Sequence, residues 1–314
     1  MKTIDEMRAG LTAILHADGI NLKLYLGMGE SDARTYWLAD FDDGATDAVC
    51  QQFVQSVDQF LGSEDLATLP LTDLDHRTDT LFMYDLPEQP AEFTTLSALV
   101  TDADPGMFAF DKHALSTVTS LAIKISSAQG SVLFFKKFYP ISLVKRDQIL
   151  LIVRGNTRFA VVDRDILKVT GGFEVVLLDG EFYINDFKKF EKSFAFEQIA
   201  KNAMQQVTNR IMALDLVDDA KGYLAANLAS RKDIIRAGKS RVLNMPVDAI
   251  IAFVLAKQHQ IGIKVVDGKL MLSSKGSIKK LYKLLNDDFL TSELTHVDYE
   301  TLAKNEIGPP QAAE

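Results

Sequence analysis

Of 314 residues one is a cysteine, Cys50, and one a tryptophan. A single thiol excludes an internal disulfide and any cysteine-based zinc site, and it fits a reducing compartment. Long apolar runs are missing as well. The longest, "ILLIV" (149–153) and "AIIAFVLA" (249–256), fall far short of the ~20 residues a membrane span needs. The opening "MKTIDEMRAGLTAIL" has acidic residues where a secretory leader would be basic. The expectation is a cytoplasmic protein that meets a membrane only through a partner.

Catalytic and metal signatures are equally scarce. His16, His76, His113, His259 and His296 are scattered, with no second histidine at helical ligand spacing. There is no G-x-S-x-G elbow. "GKS" (238–240) lacks the glycine a phosphate-binding loop needs five positions earlier, where Asp233 stands, and a helix rather than a strand precedes it. "DFDDG" (40–44) places Gly44 one position early for a calcium loop and has Gln51 where a bidentate glutamate belongs, so it reads as a helix cap. "DLDHRTD" (73–79) reads as an acidic surface loop, and Cys50 as a packed thiol beside a helical stripe. No cofactor is implied.

Charge, by contrast, is abundant and uneven. The chain carries 34 Lys+Arg and 43 Asp+Glu, a net charge of −9. Residues 1–115 hold 6 basic and 21 acidic side chains, a balance of −15, whereas residues 116–314 hold 28 and 22, a balance of +6. The length suits two domains. The charge step suggests an acidic N-terminal α/β domain over 1–115 and a basic β-rich plus helical domain over 116–314. Opposite signs in the two halves point to a polyanionic partner or to pairing between unlike surfaces.

Hydrophobic periodicity predicts helices over about 3–17 and 45–61, the latter with Val49, Phe53, Val57 and Phe60 as its buried stripe. Strands follow at 21–28 and 34–40, and residues 62–80 and 86–105, punctuated by prolines, read as loops. From about 116 the pattern turns to β: a hairpin about "SAQG", then "QILLIV", "RFAVVD", "FEVVLLD" and "EFYIN". Asp-Gly pairs at 179–180 and 267–268 predict two-residue hairpins. A helical region over 187–213 bends near Ser193, and helices are expected at 217–229, 231–237, 247–259 and 277–287. The tail "GPPQAAE" reads as disordered. The fold class expected is α+β.

Three basic clusters stand out in the second half. "RKDIIRAGKSR" holds Arg231, Lys232, Arg236, Lys239 and Arg241. Lys275, Lys279 and Lys283 repeat every four residues on one helix face, flanked by Lys280. Lys136, Lys137, Lys145 and Arg146 surround "FFKKFYPISLVKR". Clustered Lys and Arg neutralise phosphates and release counterions, which gives affinity for DNA without regard to sequence. A competing pattern, "PVD" (246–248) followed eighteen residues later by "DGK" (267–269), matches a PD…(D/E)xK nuclease, with Asp248 and Asp267 for Mg²⁺ and Lys269 for the attacking water. Against it, Asp267-Gly268 already has a structural task as a turn, and Pro246 reads as the start of a helix.

Two stretches, "GEFYINDFKKFEKSFAFEQIAKNA" (180–203) and "LNDDFLTSELTHVDYETLAKNEI" (285–307), resemble the KwaB family, the soluble component of the two-gene Kiwa antiphage defence system. The likeness is clearest from about 120 to 307. It implies a DNA-binding protein without a recognised catalytic motif, which self-associates and works beside a membrane-embedded partner, KwaA, at the inner membrane. It carries no site residue over. The expected function is therefore sequence-nonspecific binding of DNA, duplex in form, that obstructs phage DNA transactions by occupancy. The alternatives are a Mg²⁺-dependent nuclease and a non-catalytic scaffold.

Overall fold

In "NLKLYLGM", Leu22, Leu24 and Leu26 fall on one side and Tyr25 on the other, the pattern of a strand covered on both faces. The computed structural model describes residues 2–73, 79–101, 105–138, 151–154, 158–161, 167, 169–226 and 229–301. The chain forms two units, one of residues 1–71 and 76–196 and one of residues 72–75 and 197–314.

The first unit runs through α1 (Ile4–Leu15), β1 (Asn21–Met28), β2 (Thr35–Leu38), α2 (Asp43–Leu61), β3 (Ala67–Pro70), β4 (Thr80–Met83) and α3 (Ala91–Thr101). It continues with β5 (Val118–Ser127), β6 (Gly130–Lys137), β7 (Leu151–Arg154), β8 (Arg158–Val161), β9 (Val175–Leu178), β10 (Glu181–Ile184) and α4 (Phe187–Ser193). Eight strands make one sheet in the order β2-β1-β5-β6-β9-β10-β4-β3. Its pairs are antiparallel except β3–β4 at the edge. Strands β7 and β8 pair with each other.

Register sets which residues meet. Leu22, Leu24 and Leu26 lie opposite Ile125, Ile123 and Leu121. This face is covered by Met7, Leu11 and Leu15 of α1 and by Phe53 and Val57 of α2. Successive strand residues point to opposite faces. Phe134 accordingly meets Phe53, with ring centroids 5.0 Å apart, while Phe135 meets Phe194 at 4.6 Å. On that second face Phe93 of α3 stacks on Phe182 at 3.7 Å. The sheet is thus sandwiched between helices, and each fully buried ring contributes about 2–3 kcal/mol of apolar burial.

Both Asp-Gly turns form as expected, with positive φ at Asp179 and Gly180 and at Asp267 and Gly268. That is the requirement of a two-residue hairpin matched to strand twist. The bend near Ser193 is also present: α4 ends there and Ala195 takes φ 49° before the next helix begins.

The second unit contains α5 (Phe196–Ala213, entering the unit at Glu197), β11 (Val217–Asp218), α6 (Arg231–Lys239), a 3-10 turn (Arg241–Asn244), α7 (Val247–Ala256) and α8 (Gln258–Ile261). β12 (Val265–Val266), β13 (Lys269–Met271), α9 (Lys275–Leu285), β14 (Phe289–Thr291) and β15 (Asp298–Glu300) complete it. Its core gathers Val207 and Ile211 of α5, Ile234 and Ala237 of α6, Ile250 and Val254 of α7, and Ile278, Leu281 and Leu285 of α9. Gly238 allows α6 to approach α5 closely, since a Cβ there would lie 2.5 Å from Val207 Cγ2. The glycine of "GKS" is a packing residue. Among the described residues no helix is long and apolar enough to cross a membrane.

Four expectations need correction. Residues 67–70, within a stretch read as loop, are β3, paired in parallel with β4. Residues 91–101, read as loop, are α3: Pro87 and Pro90 obscured a helix whose Phe93, Leu96 and Leu99 are buried. Where a helix was expected over 217–229, residues 217–226 form β11 followed by turns, because the Asp219 carboxylate accepts the N–H groups of Tyr223 and Leu224, both at 2.7 Å. The charge step at 115/116 is not where the units part. The acidic segment supplies β1, β2, β3 and β4, the two flanks of a sheet whose centre is β5, β6, β9 and β10. Strand pairing defines a core, and charge balance does not. The readings placed on 74–78, 139–150 and the tail lie outside the described residues.

Candidate nucleic-acid interface

Helix α6 is capped by Ser230, whose hydroxyl accepts the Asp233 N–H at 3.1 Å, and α9 is capped by Ser274 in a reciprocal capping box with Ser277. Both helices are amphipathic. Ile234 and Ala237 on α6, and Ile278, Leu281, Tyr282 and Leu285 on α9, face the core and pack the two helices against each other and against the 3-10 turn. Two of the three basic clusters are thereby brought together in one unit.

Their members do not share one environment. Lys239, Arg241, Lys275 and Lys279 are exposed, and Arg231, Lys232, Lys280 and Lys283 are half-buried. Arg236, expected on the binding face, is only 8% exposed. Its Nη1 lies 3.1 Å from Asp288 Oδ1, a carboxylate that is itself 4% exposed, and its Nη2 faces the Asn286 carbonyl at 3.4 Å. Asn286 Nδ2 returns a bond to the Asp233 carbonyl at 3.1 Å. Arg236 therefore locks α6 to the end of α9 and is not presented to a ligand. A third helix joins the cluster: Arg210 of α5 donates to the Gly238 carbonyl at 3.0 Å and to Asn244 Oδ1 at 2.6 Å. On α9 Lys283 pairs with Glu300 of the β-hairpin. In the first turn of α5, hydrogen bonding from Lys201 holds the Glu197 carboxyl below the usual range, and the charge of Arg231 acts in the same direction.

The third cluster lies in the other unit. Lys136 Nζ donates to the Thr170 carbonyl at 2.8 Å, and burial lowers its pKa. The Lys137 backbone N–H donates to Glu174. Burial raises the Glu174 pKa, opposed by that hydrogen bond and by the charges of Lys189 and Lys136. Lys145 and Arg146 lie outside the described residues.

The nuclease trio is placed as follows. Asp248 is exposed in the first turn of α7, Asp267 occupies the hairpin turn with φ 49°, and Lys269 pairs with Asp215. Among the described residues no group of three or more side chains able to hold a metal comes together. Asp288 carried no signal in the sequence beyond the string "NDD", and neither did Glu174. Lys189 lay within "FKKFEKSF", which periodicity marks only as a helix with a basic outer face.

Comparison with known proteins agrees with the resemblance. A curated protein named Kiwa protein KwaB, from Escherichia coli O55:H7 (strain RM12579 / EPEC), is 20% identical over 281 residues, 86% of this chain and 89% of that protein. No solved structure matches the chain. The model of a family described as Kiwa protein KwaB-like matches residues 115–295, from just before β5 to just beyond β14. That match spans more than half of the chain, which therefore belongs to the Kiwa protein KwaB-like family.

Proposed function

We propose that the chain binds duplex DNA without regard to sequence and obstructs phage DNA transactions by occupancy rather than by cleavage. Family membership makes it a component of a Kiwa antiphage defence system, and such a system implies a partner protein. The observation that carries the DNA reading is the packing of α6 on α9, which joins Arg231, Lys232, Lys239 and Arg241 to Lys275, Lys279 and Lys280 in one unit. Phosphate contacts of this kind position a protein on DNA but carry no sequence information.

A non-catalytic role is favoured by the tasks that two of the nuclease trio already perform. Asp267 makes the turn and Lys269 neutralises Asp215. Self-association and a membrane-embedded partner complete the proposal. The exposed Met245, Phe253 and Leu255 around α7 and Leu294 and Val297 near the β-hairpin are apolar surface that assembly would cover. Gel-shift titration against salt, with and without Mg²⁺, tests the reading. Binding that weakens steeply with salt and leaves DNA intact is expected. Mg²⁺-dependent cleavage lost on Asp267→Asn would favour the nuclease instead.

A further inference from the structure

The β6–β9 ladder ends at Phe135 and Val175, and beyond it the chain leaves a concavity of about 570 Å³ in the first unit. That is within the range of small-molecule sites. Its walls combine three chemistries. Phe60, Phe138 and Phe173 line it, with Phe60 edge-on to Phe173 at 5.3 Å. Lys136 and Lys189 reach it from β6 and α4, and the Lys137 backbone N–H lies at its wall, donating to Glu174. Glu174, only 4% exposed, is the buried carboxylate.

The rim is built by close approach. A Cβ on Gly171 would lie 1.9 Å from Ser56 Oγ, so the chain at 170–172 is seated directly on α2. At Gly172 a Cβ would meet nothing within 4 Å, so backbone faces open space there. Lys136 is held to Thr170 at 2.8 Å. Lys189 Nζ sits 3.1 Å from Asp186 Oδ2 and 3.7 Å from Glu174 Oε1. The latter exceeds hydrogen-bond length, so Oε1 keeps capacity for an N–H donor from a ligand.

We propose that this pocket binds a small nucleotide. Its phosphate is neutralised by Lys136 and Lys189, its base rests on the phenyl rings, and its amino edge meets Glu174. Aromatic surface suits any base, because every base has a π-face. The buried carboxylate adds preference for a base bearing an exocyclic amine. This site belongs to the first unit and the basic surface of α6 and α9 to the second, and a free nucleotide probes it without DNA.

Isothermal titration of the full chain with inorganic phosphate, AMP and dTMP tests it. AMP should bind more tightly than phosphate or dTMP. Lys189→Gln removes the charge beside Glu174 and Asp186, and it should weaken AMP about tenfold or more, as loss of a charge-assisted hydrogen bond does, with a circular-dichroism melt showing that the variant remains folded. Lys136→Met should do the same. Phe60→Ala should weaken AMP but not phosphate. No AMP binding at millimolar concentration, or equal AMP affinity in the wild type and in Lys189→Gln, would overturn the proposal.

Discussion

Arg236→Ala separates a surface cation from a structural one. If Arg236 touched phosphate, its loss would weaken DNA binding and leave stability alone. The structure requires the reverse. Arg236 and Asp288 face each other at 3.1 Å, both largely removed from water. Removing the guanidinium strands a buried carboxylate, a change that costs about 3–5 kcal/mol. It also removes the donor to the Asn286 carbonyl. Alanine's helix propensity returns only a few tenths of a kcal/mol. For a unit of this size the midpoint of thermal unfolding should fall by roughly 10–20 °C. Arg231→Ala, in the first turn of the same helix, should cost under about 1 kcal/mol. Circular-dichroism melts of the two variants make the comparison. Arg236→Ala with Asp288→Asn should regain part of the loss, because the stranded charge is gone. A stable Arg236→Ala protein with weakened DNA binding would refute the reasoning.

Three further outcomes are expected. Gly27→Ala should destabilise the first unit by about 1–3 kcal/mol in urea unfolding, because its Cβ would sit 2.2 Å from Ser120 Oγ and 2.8 Å from the Tyr36 ring. Glu92→Ala should cost about 3–5 kcal/mol in the same assay, since Glu92, 2% exposed, accepts from both Arg34 and Tyr36, and its loss strands a buried guanidinium. Asp267→Asn and Lys269→Ala should leave phage protection in a plaque assay nearly intact. Asparagine tolerates the positive φ of the turn, and the exposed Lys269–Asp215 pair is worth at most about 1 kcal/mol.

Local chemistry made much of the fold legible. Each Asp-Gly turn followed from the φ > 0 that a two-residue hairpin demands, and α2 from the Phe53–Val57 spacing with Asp42 as its cap. Helix α3 was hidden because Pro87 and Pro90 read as loop. Its Glu92 is buried against Arg34, which stands 58 residues earlier, just before β2. The same long-range pairing explains the interface. Periodicity placed Lys275, Lys279 and Lys283 on one helix face correctly in outline. Nothing near Arg236 in sequence announces Asp288, 52 residues away, so a buried lock looked like one more surface cation. The domain boundary failed for a related reason. Strands β1 and β5 pair over nearly their whole length across a change in charge sign.

The salt dependence of DNA affinity is the decisive quantity. Binding of the full chain to two unrelated duplexes should give parallel lines of log K against log salt. Lys275→Ala with Lys279→Ala changes two exposed side chains of α9. Each phosphate contact adds about 0.9 to the slope, so this double variant should flatten both lines by about 1.8 and keep the melting midpoint of the parent. A double variant with unchanged affinity and slope, or affinity that differs strongly between the two sequences, would contradict a phosphate-reading surface on α6 and α9.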